Sequence, residues 1–269
     1  MTTFLSNDIE RQKLIIEDPD FVWSYSRLKK FEDCRYSWWL KYIEGYSGKE
    51  RFFSQYGTFM HDILAKYYNG EMNKDELPAY YLSKFSLNVT EKAPNTKVFK
   101  SYFSSGLDFL KNIEKIELEK TEVEKEVRFD VDGKNFVGYI DLYGYDKEGG
   151  MWIIDHKSRA LKPYSNRRSK TLSDKELDEY YKQLYLYAKG ARTSLGGLPS
   201  YLVFDCFRNQ CLIKEQFHSE KLEETELWAS KLIKEISNNT DWSPNYDWFK
   251  CKYLCDLNEE CEYFQINNT

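Results

Sequence analysis

A mixed α/β (α+β) architecture, with one central sheet flanked by helices and a helical N-terminal subdomain, is the fold class that this 269-residue sequence predicts. Three observations carry it. Apolar residues recur at helical spacing through the first part of the chain. Strand-like alternation then takes over in three successive segments from residue 122, and two further short apolar runs are framed by two long amphipathic stretches. That order (helices, three meandering strands, helix, two strands, helix, tail) suits a single sheet packed on helices. A doubly wound nucleotide fold would require alternating βαβ units and a glycine-rich first turn, and the sequence has neither.

Residues 1–20 are polar and read as an irregular or loosely docked arm. From Ser24 a helix is predicted, its stripe formed by Leu28, Phe31, Cys34, Trp38 and Tyr42 and its N-cap by Ser24 or Ser26. A second runs over about 57–68, where His61 shares the stripe of Leu64 and Ala65. Two or three more fill 75–118, broken at Pro78 and Pro94. The alternating segments 122–131 and 136–146 flank Asp132-Gly133, a strong hairpin signal, and a turn over Lys147 to Gly150 leads to a third strand, 151–158. A helix is expected over about 174–190 with Gly190 as its stop, then strands over 199–207 and 211–217 and an amphipathic helix over 220–237. The implied organisation is an arm (1–20), a helical subdomain (21–120), a sheet-bearing core (121–237) and a cysteine-rich tail packed on the first helix (238–269).

Apolar content of 41% and charged content of 31% fit a soluble globular chain. The net charge of −5 supplies no global field toward a polyanion, so any nucleic-acid contact must come from a local basic patch. No apolar run approaches the ~18 residues needed to span a bilayer, and the first 20 residues lack the cationic and apolar blocks of a secretory signal. A reducing cytoplasm is therefore the expected location. In that setting the six cysteines read as metal ligands or buried thiols rather than disulfides. Tyrosine (22) outnumbers phenylalanine (17), a surplus that suits half-wet grooves as well as ordinary packing.

Chemistry concentrates in two neighbouring strands. Asp141 interrupts an apolar strand between Ile140 and Leu142, and the next strand ends in Asp155-His156-Lys157. Period two puts Asp155 and Lys157 on one face with His156 on the other, and an antiparallel neighbour brings Asp141 beside Asp155. Two carboxylates and an ammonium there form a site for a hard cation, Mg²⁺ or Mn²⁺. Phosphodiester hydrolysis needs such a set: an activated water, neutralisation of developing charge and help for the leaving oxygen. Lys157 can orient or deprotonate the water, or neutralise the phosphorane. The plainer alternatives are a surface ion pair for Asp155 and Lys157, a satisfied core histidine for His61, and helix packing for Gln183 and Tyr187.

The residues in company resemble the RecB-like branch of the PD-(D/E)XK nucleases. Asp141 followed by Asp155-His156-Lys157 is similar to the D…(D/E)xK signature. Residues 24–42 resemble the helix that opens RecB-type nuclease domains, GTFMHDIL (57–64) their G-x-x-x-H helix, and QLYLY (183–187) their Q-x-x-x-Y motif. The resemblance implies a restriction-endonuclease-like nuclease core. It also implies His61, Asp141, Asp155 and the His156 carbonyl as metal ligands, Lys157 as catalytic lysine, and Gln183 and Tyr187 as residues that orient Lys157 or touch a DNA phosphate. Cys34 with Cys251, Cys255 and Cys261 is similar to the iron–sulfur staple of AddB-like and CRISPR adaptation nucleases, implying a [4Fe–4S] cluster, with structural Zn²⁺ as the alternative. The tail reads C-x3-C-x5-C where the family has C-x2-C-x5-C. Cys206 and Cys211, flanking a turn between two strands, read as buried thiols outside that set.

Residues 157–170 carry six basic residues and no acid. Arg159, Lys162, Arg167, Arg168 and Lys170 would meet a phosphate backbone there, and Tyr164 would stack on a base; a solvated flexible loop is the alternative. No base-reading motif is present, so the expected substrate is DNA ends or single strands with little sequence specificity. The resemblance thus implies a metal-dependent deoxyribonuclease, an exonuclease by its branch, working in recombination, repair or viral DNA processing in a bacterial or host cytoplasm. The competing reading is a non-cleaving DNA-binding subunit of a repair or recombination complex. No phosphate-binding G-x-x-x-x-G-K-[ST] motif occurs, so a helicase partner would be a separate chain.

Overall fold

The structure, a computed structural model describing residues 6–267, is organised around the hairpin that Asp132-Gly133 dictates. Both residues take positive φ (53° and 76°), as a tight two-residue hairpin turn requires. The turn pins β1 (Glu119–Val131) to β2 (Lys134–Tyr145), pairing Val131 with Lys134 and Val123 with Leu142. β3 (Met151–Lys157) runs antiparallel to β2, β4 (Tyr201–Cys206) parallel to β3, and β5 (Cys211–Gln216) antiparallel to β4. The result is a five-stranded mixed sheet in the order β1-β2-β3-β4-β5. Its one parallel step needs a crossover, which α7 (Leu172–Ser194) supplies; a capping box between Thr171 and Asp174 fixes where that helix starts.

Helices cover both faces. On one, α7 and α8 (Ser219–Asn238) join α1 (Ser6–Glu17), α2 (Tyr25–Asp33) and α3 (Arg35–Tyr42) over Phe136, Ile140, Ile153, Leu202 and Phe204. On the other, α4 (Phe52–Tyr68), α5 (Leu77–Asn88) and α6 (Thr96–Asn112) pack over Leu142, Ile154 and Val203. A 3-10 turn at Lys74–Glu76 and Pro78 in the first turn of α5 explain the break expected there. The tail carries α9 (Trp248–Tyr253) and α10 (Glu262–Ile266). Segment 21–120 thus supplies helices to both faces of the sheet.

Three expectations are corrected. The arm, as far as it is described, is a docked helix: Gln12 is buried and donates to the Ile236 carbonyl (2.8 Å), and Ile16 enters the core. The single helix expected over 24–42 is two helices. Ser24 does cap the first, accepting from the Arg27 N–H (3.1 Å), but Cys34 is extended (φ −165°, ψ 110°) and ends α2 while starting α3. Residues 36–40 are all buried, more than one helical stripe provides, because the tail wraps α3 from a second side and the chain must turn to receive it. Gly190, expected as a stop, lies within α7, where a Cβ would sit 2.5 Å from Val127 Cγ2; it is a close-packing point against β1.

Candidate active site

The site forms where two strands part. β2 and β3 pair from Tyr145↔Met151 only as far as Leu142↔Ile154. At the next position, where the register would oppose Asp141 and Asp155, Asp141 Oδ2 instead accepts the His156 backbone N–H at 2.7 Å. A carboxylate so replaces the ladder bond that the divergence removes. β3 meanwhile keeps its pairing with β4 through Lys157↔Cys206, so the strand end stays fixed.

Alternation sends the next three side chains to opposite faces. Asp155 is buried, and its Oδ2 lies 2.7 Å from Lys157 Nζ. The same ammonium donates to Gln183 Oε1 (2.7 Å), and Gln183 Nε2 donates to Tyr187 Oη (2.7 Å), so α7 holds the lysine through residues one helical turn apart. His156 points the other way. Its Nδ1 is 2.9 Å from Asp205 Oδ2, and its ring stacks on Tyr68 at 5.8 Å.

From the opposite face α4 brings His61, whose Nδ1 is 3.4 Å from Asp141 Oδ1. Ligand atoms of His61, Asp141 and Glu124 all lie within 4.8 Å of one another. Glu124 was not expected from the sequence, although the signal is there: counting back from the Asp132-Gly133 turn sets it across from Asp141. Glu122, Glu124 and Glu126 share one parity, so nothing in the pattern singles out the middle one. In fact the facing pattern changes here. Val127 packs toward α7 but Val123, of the same parity, packs toward α4, and Glu124 between them has φ 50°. The same change separates Ile140 from Leu142 around Asp141.

Electrostatics make the cluster short of positive charge. Burial pushes the Asp155 carboxyl up, against Lys157, and the Asp141 charge pushes further. Burial also raises Glu124, with Asp141 adding to it. Burial opposes ionisation of Asp141 too, but His61 outweighs it and holds that carboxyl below its usual range. Burial disfavours a charged His61, yet the Asp141 charge and hydrogen bond overcome this and raise the ring to about 9. Lys157 loses by burial and gains more from Asp155, ending above the ordinary lysine range. Without a metal, two protonated side chains therefore serve as the cations of a carboxylate cluster. The donor set of carboxylates and one imidazole fits Mg²⁺ or Mn²⁺.

A family model for the PD-(D/E)XK nuclease superfamily matches residues 22–262. The chain belongs to that superfamily. The mixed sheet flanked by helices agrees with the restriction-endonuclease-like fold expected of a PD-(D/E)XK nuclease. Among solved structures, one of a protein named "Putative exonuclease", from Eubacterium rectale, is similar with a TM-score of 0.51 at 14% identity, covering 100% of this chain and 95% of that one. At such identity the likeness is one of fold. A second, of the protein SSO0001, is 15% identical over 77% of this chain and 96% of that one, with a TM-score of 0.30 that carries no argument. None of the curated proteins compared matches the chain.

The remaining expected residues fall in two places. In the loop after Lys157, Arg159 pairs with Glu176 (2.5 Å) and Lys170 with Asp178 (2.6 Å), while Lys162, Arg167 and Arg168 are exposed. Tyr164 stacks on Tyr181 (6.2 Å) and donates to Asp178 (2.8 Å), so one of its faces is already used. The cysteines are all free thiols. Cys34, Cys255 and Cys261 gather around the buried Leu257, and Cys251 is within electrostatic reach of Cys34. Among the described residues no three cysteine sulfurs lie within 4.8 Å of one another, so the structure does not support the [4Fe–4S] cluster that the resemblance implies. Burial raises the Cys255 and Cys261 thiols. No helix among the described residues is long and apolar enough to cross a membrane.

Proposed function

We propose that this nuclease-superfamily member is a metal-dependent deoxyribonuclease acting on DNA ends or single strands. The observation that carries the reading is the side-by-side placement of Asp141, Asp155 and Lys157, with His61 and Glu124 completing a donor set. Asp141, Asp155, His61 and Glu124 would hold Mg²⁺ or Mn²⁺, with the His156 carbonyl as a further donor. When bound, the metal polarises phosphate and makes water a stronger nucleophile at neutral pH. Lys157, held in its charged form, sits where the phosphate's negative charge grows in the transition state. Gln183 and Tyr187 orient that ammonium through their 2.7 Å contacts. His156 and Asp205 brace the strand behind it. The cationic segment Arg159 to Lys170 would carry the backbone past the site, with Lys162, Arg167 and Arg168 free to meet phosphates and Tyr164 offering its remaining face.

Exonuclease action is the finer part of the proposal; the name of the similar Eubacterium rectale protein supports it. The seam of Cys34, Cys251, Cys255 and Cys261 is where a metal staple would clasp the tail to α3, and the iron and zinc content of purified protein is its readout. The deciding experiment is cleavage of end-labelled single- and double-stranded DNA with Mg²⁺ or Mn²⁺, beside EDTA and Lys157→Ala controls. Metal-dependent products, reduced at least about 100-fold in the variant, are expected, and their ladder gives polarity. Binding without cleavage under every metal would instead favour a non-catalytic DNA-binding subunit.

A further inference from the structure

We infer that an aromatic track ending on α9 binds single-stranded DNA and leads it to the candidate active site; the inference rests on the nuclease reading above. The track begins beside the site. Phe207, buried in the core, packs against the His61 ring (6.5 Å) and anchors the half-buried Arg208 that follows it, which lies over Tyr102 (4.1 Å) while donating to its hydroxyl (2.9 Å). Tyr102 meets Phe53 (5.1 Å), Phe53 meets Phe249 (6.4 Å), and Phe249 meets Tyr253 (5.2 Å), which contacts Trp248 (5.7 Å). Trp248 and Phe249 are 48% and 44% exposed, far more than packing alone would leave on residues of that size.

Charge identifies the occupant. Lys252 Nζ lies 4.9 Å over the Trp248 ring, and neither Lys250 nor Lys252 has a carboxylate partner among the described residues. A cleft of about 320 Å³ beside Tyr253 is bordered by Lys92 and Lys252, while Arg51 at its edge is already paired with Glu259 (3.1 Å) and Glu91 (3.6 Å). Alternating aromatic faces and unpaired cations suit unstacked bases joined by phosphates: rings take bases of any sequence and lysines take the backbone. A duplex would keep its bases stacked inside and present nothing to the rings. An apolar protein partner would have no use for the free lysines. In a chain of net charge −5 this local concentration is also the kind of patch nucleic-acid binding requires.

The test is fluorescence-anisotropy binding of labelled oligothymidylates of 5 and 20 nucleotides, and of a blunt duplex, to the full chain in EDTA. Trp248→Leu/Phe249→Leu keeps apolar bulk while removing the stacking faces, and Lys252→Glu tests the charge without touching the rings. The expected result is that each variant weakens 20-mer binding about 5- to 100-fold. The 20-mer's advantage over the 5-mer should shrink and duplex binding change little. Wild-type 20-mer affinity in both variants, with wild-type cleavage still present, would overturn the track and leave the nuclease reading standing. Loss of a dimer in light scattering with DNA binding unchanged would also overturn it, assigning the face to self-association. A wild-type protein that neither binds nor cleaves any DNA would fail both readings.

Discussion

At the scale of single residues, the site is a competition between protons and a metal for the same carboxylates. His61 is the clearest case, because it is raised to about 9 by Asp141 although burial opposes it. Its folded value lies above the ~6.5 of a free imidazole. The stabilisation it gives the metal-free protein is therefore fully present below about pH 6.5 and lost as pH rises through about 9. A divalent ion needs the neutral ring, so metal should bind more tightly as pH rises over the same window. Thermal unfolding in EDTA should show a declining melting temperature from about pH 6.5 to 9 that His61→Gln flattens, and Mn²⁺ should raise the melting temperature most at the alkaline end. Superimposable pH profiles for the two proteins would remove His61 from the cluster's charge balance.

Elements set how well such residues are held, and Gly138 on β2 shows the link. A Cβ there would stand 2.7 Å from Tyr187 Cδ1, and Tyr187 supports Gln183, which supports Lys157. Gly138→Ala should thus shift the lysine's brace and lower cleavage about 10-fold or more, while costing only about 1–3 kcal/mol of stability by overpacking; an unfolding titration beside turnover measurements separates the two. Loss of stability without loss of rate would mean that Tyr187 is packing alone. Much of this was legible in sequence. The Asp132-Gly133 turn and strand alternation gave the meander, and period two gave the split of Asp155 and Lys157 from His156. What escaped had physical reasons. Cys34 reads as part of a helical stripe until the tail's demand for α3 is known. Gly190 reads as a stop because only the tertiary contact with Val127 explains a glycine inside a helix. Glu124 was concealed because a facing change within a strand leaves no mark in composition.

For the whole molecule, the tail decides how the first helices are held. Trp242 is buried against Trp38 (5.4 Å) and Phe31 (5.9 Å), and Arg51 donates to the Cys255 carbonyl (3.2 Å) and to Asn258. The centre of this clasp is Asp256, which accepts from Lys30 of α2 and Lys41 of α3 through separate oxygens, each at 2.6 Å. Burial works against the Asp256 charge, but those two hydrogen bonds prevail and hold the carboxyl below its usual range. A depressed value means that this contribution is present above the unfolded pKa of about 3.9 and disappears as pH falls through the folded one. Asp256→Asn should accordingly destabilise the protein by about 1–3 kcal/mol at neutral pH, the range for hydrogen bonds to charged groups, and the difference from wild type should vanish in acid. Because one carboxylate serves both lysines, Lys30→Met and Lys41→Met should be non-additive with it. Urea titrations of the three single and two double variants measure this directly. Additive losses, or a deficit in Asp256→Asn that does not shrink as pH falls below the ordinary carboxylate range, would show that the tail is held by its aromatic contacts and not by this carboxylate.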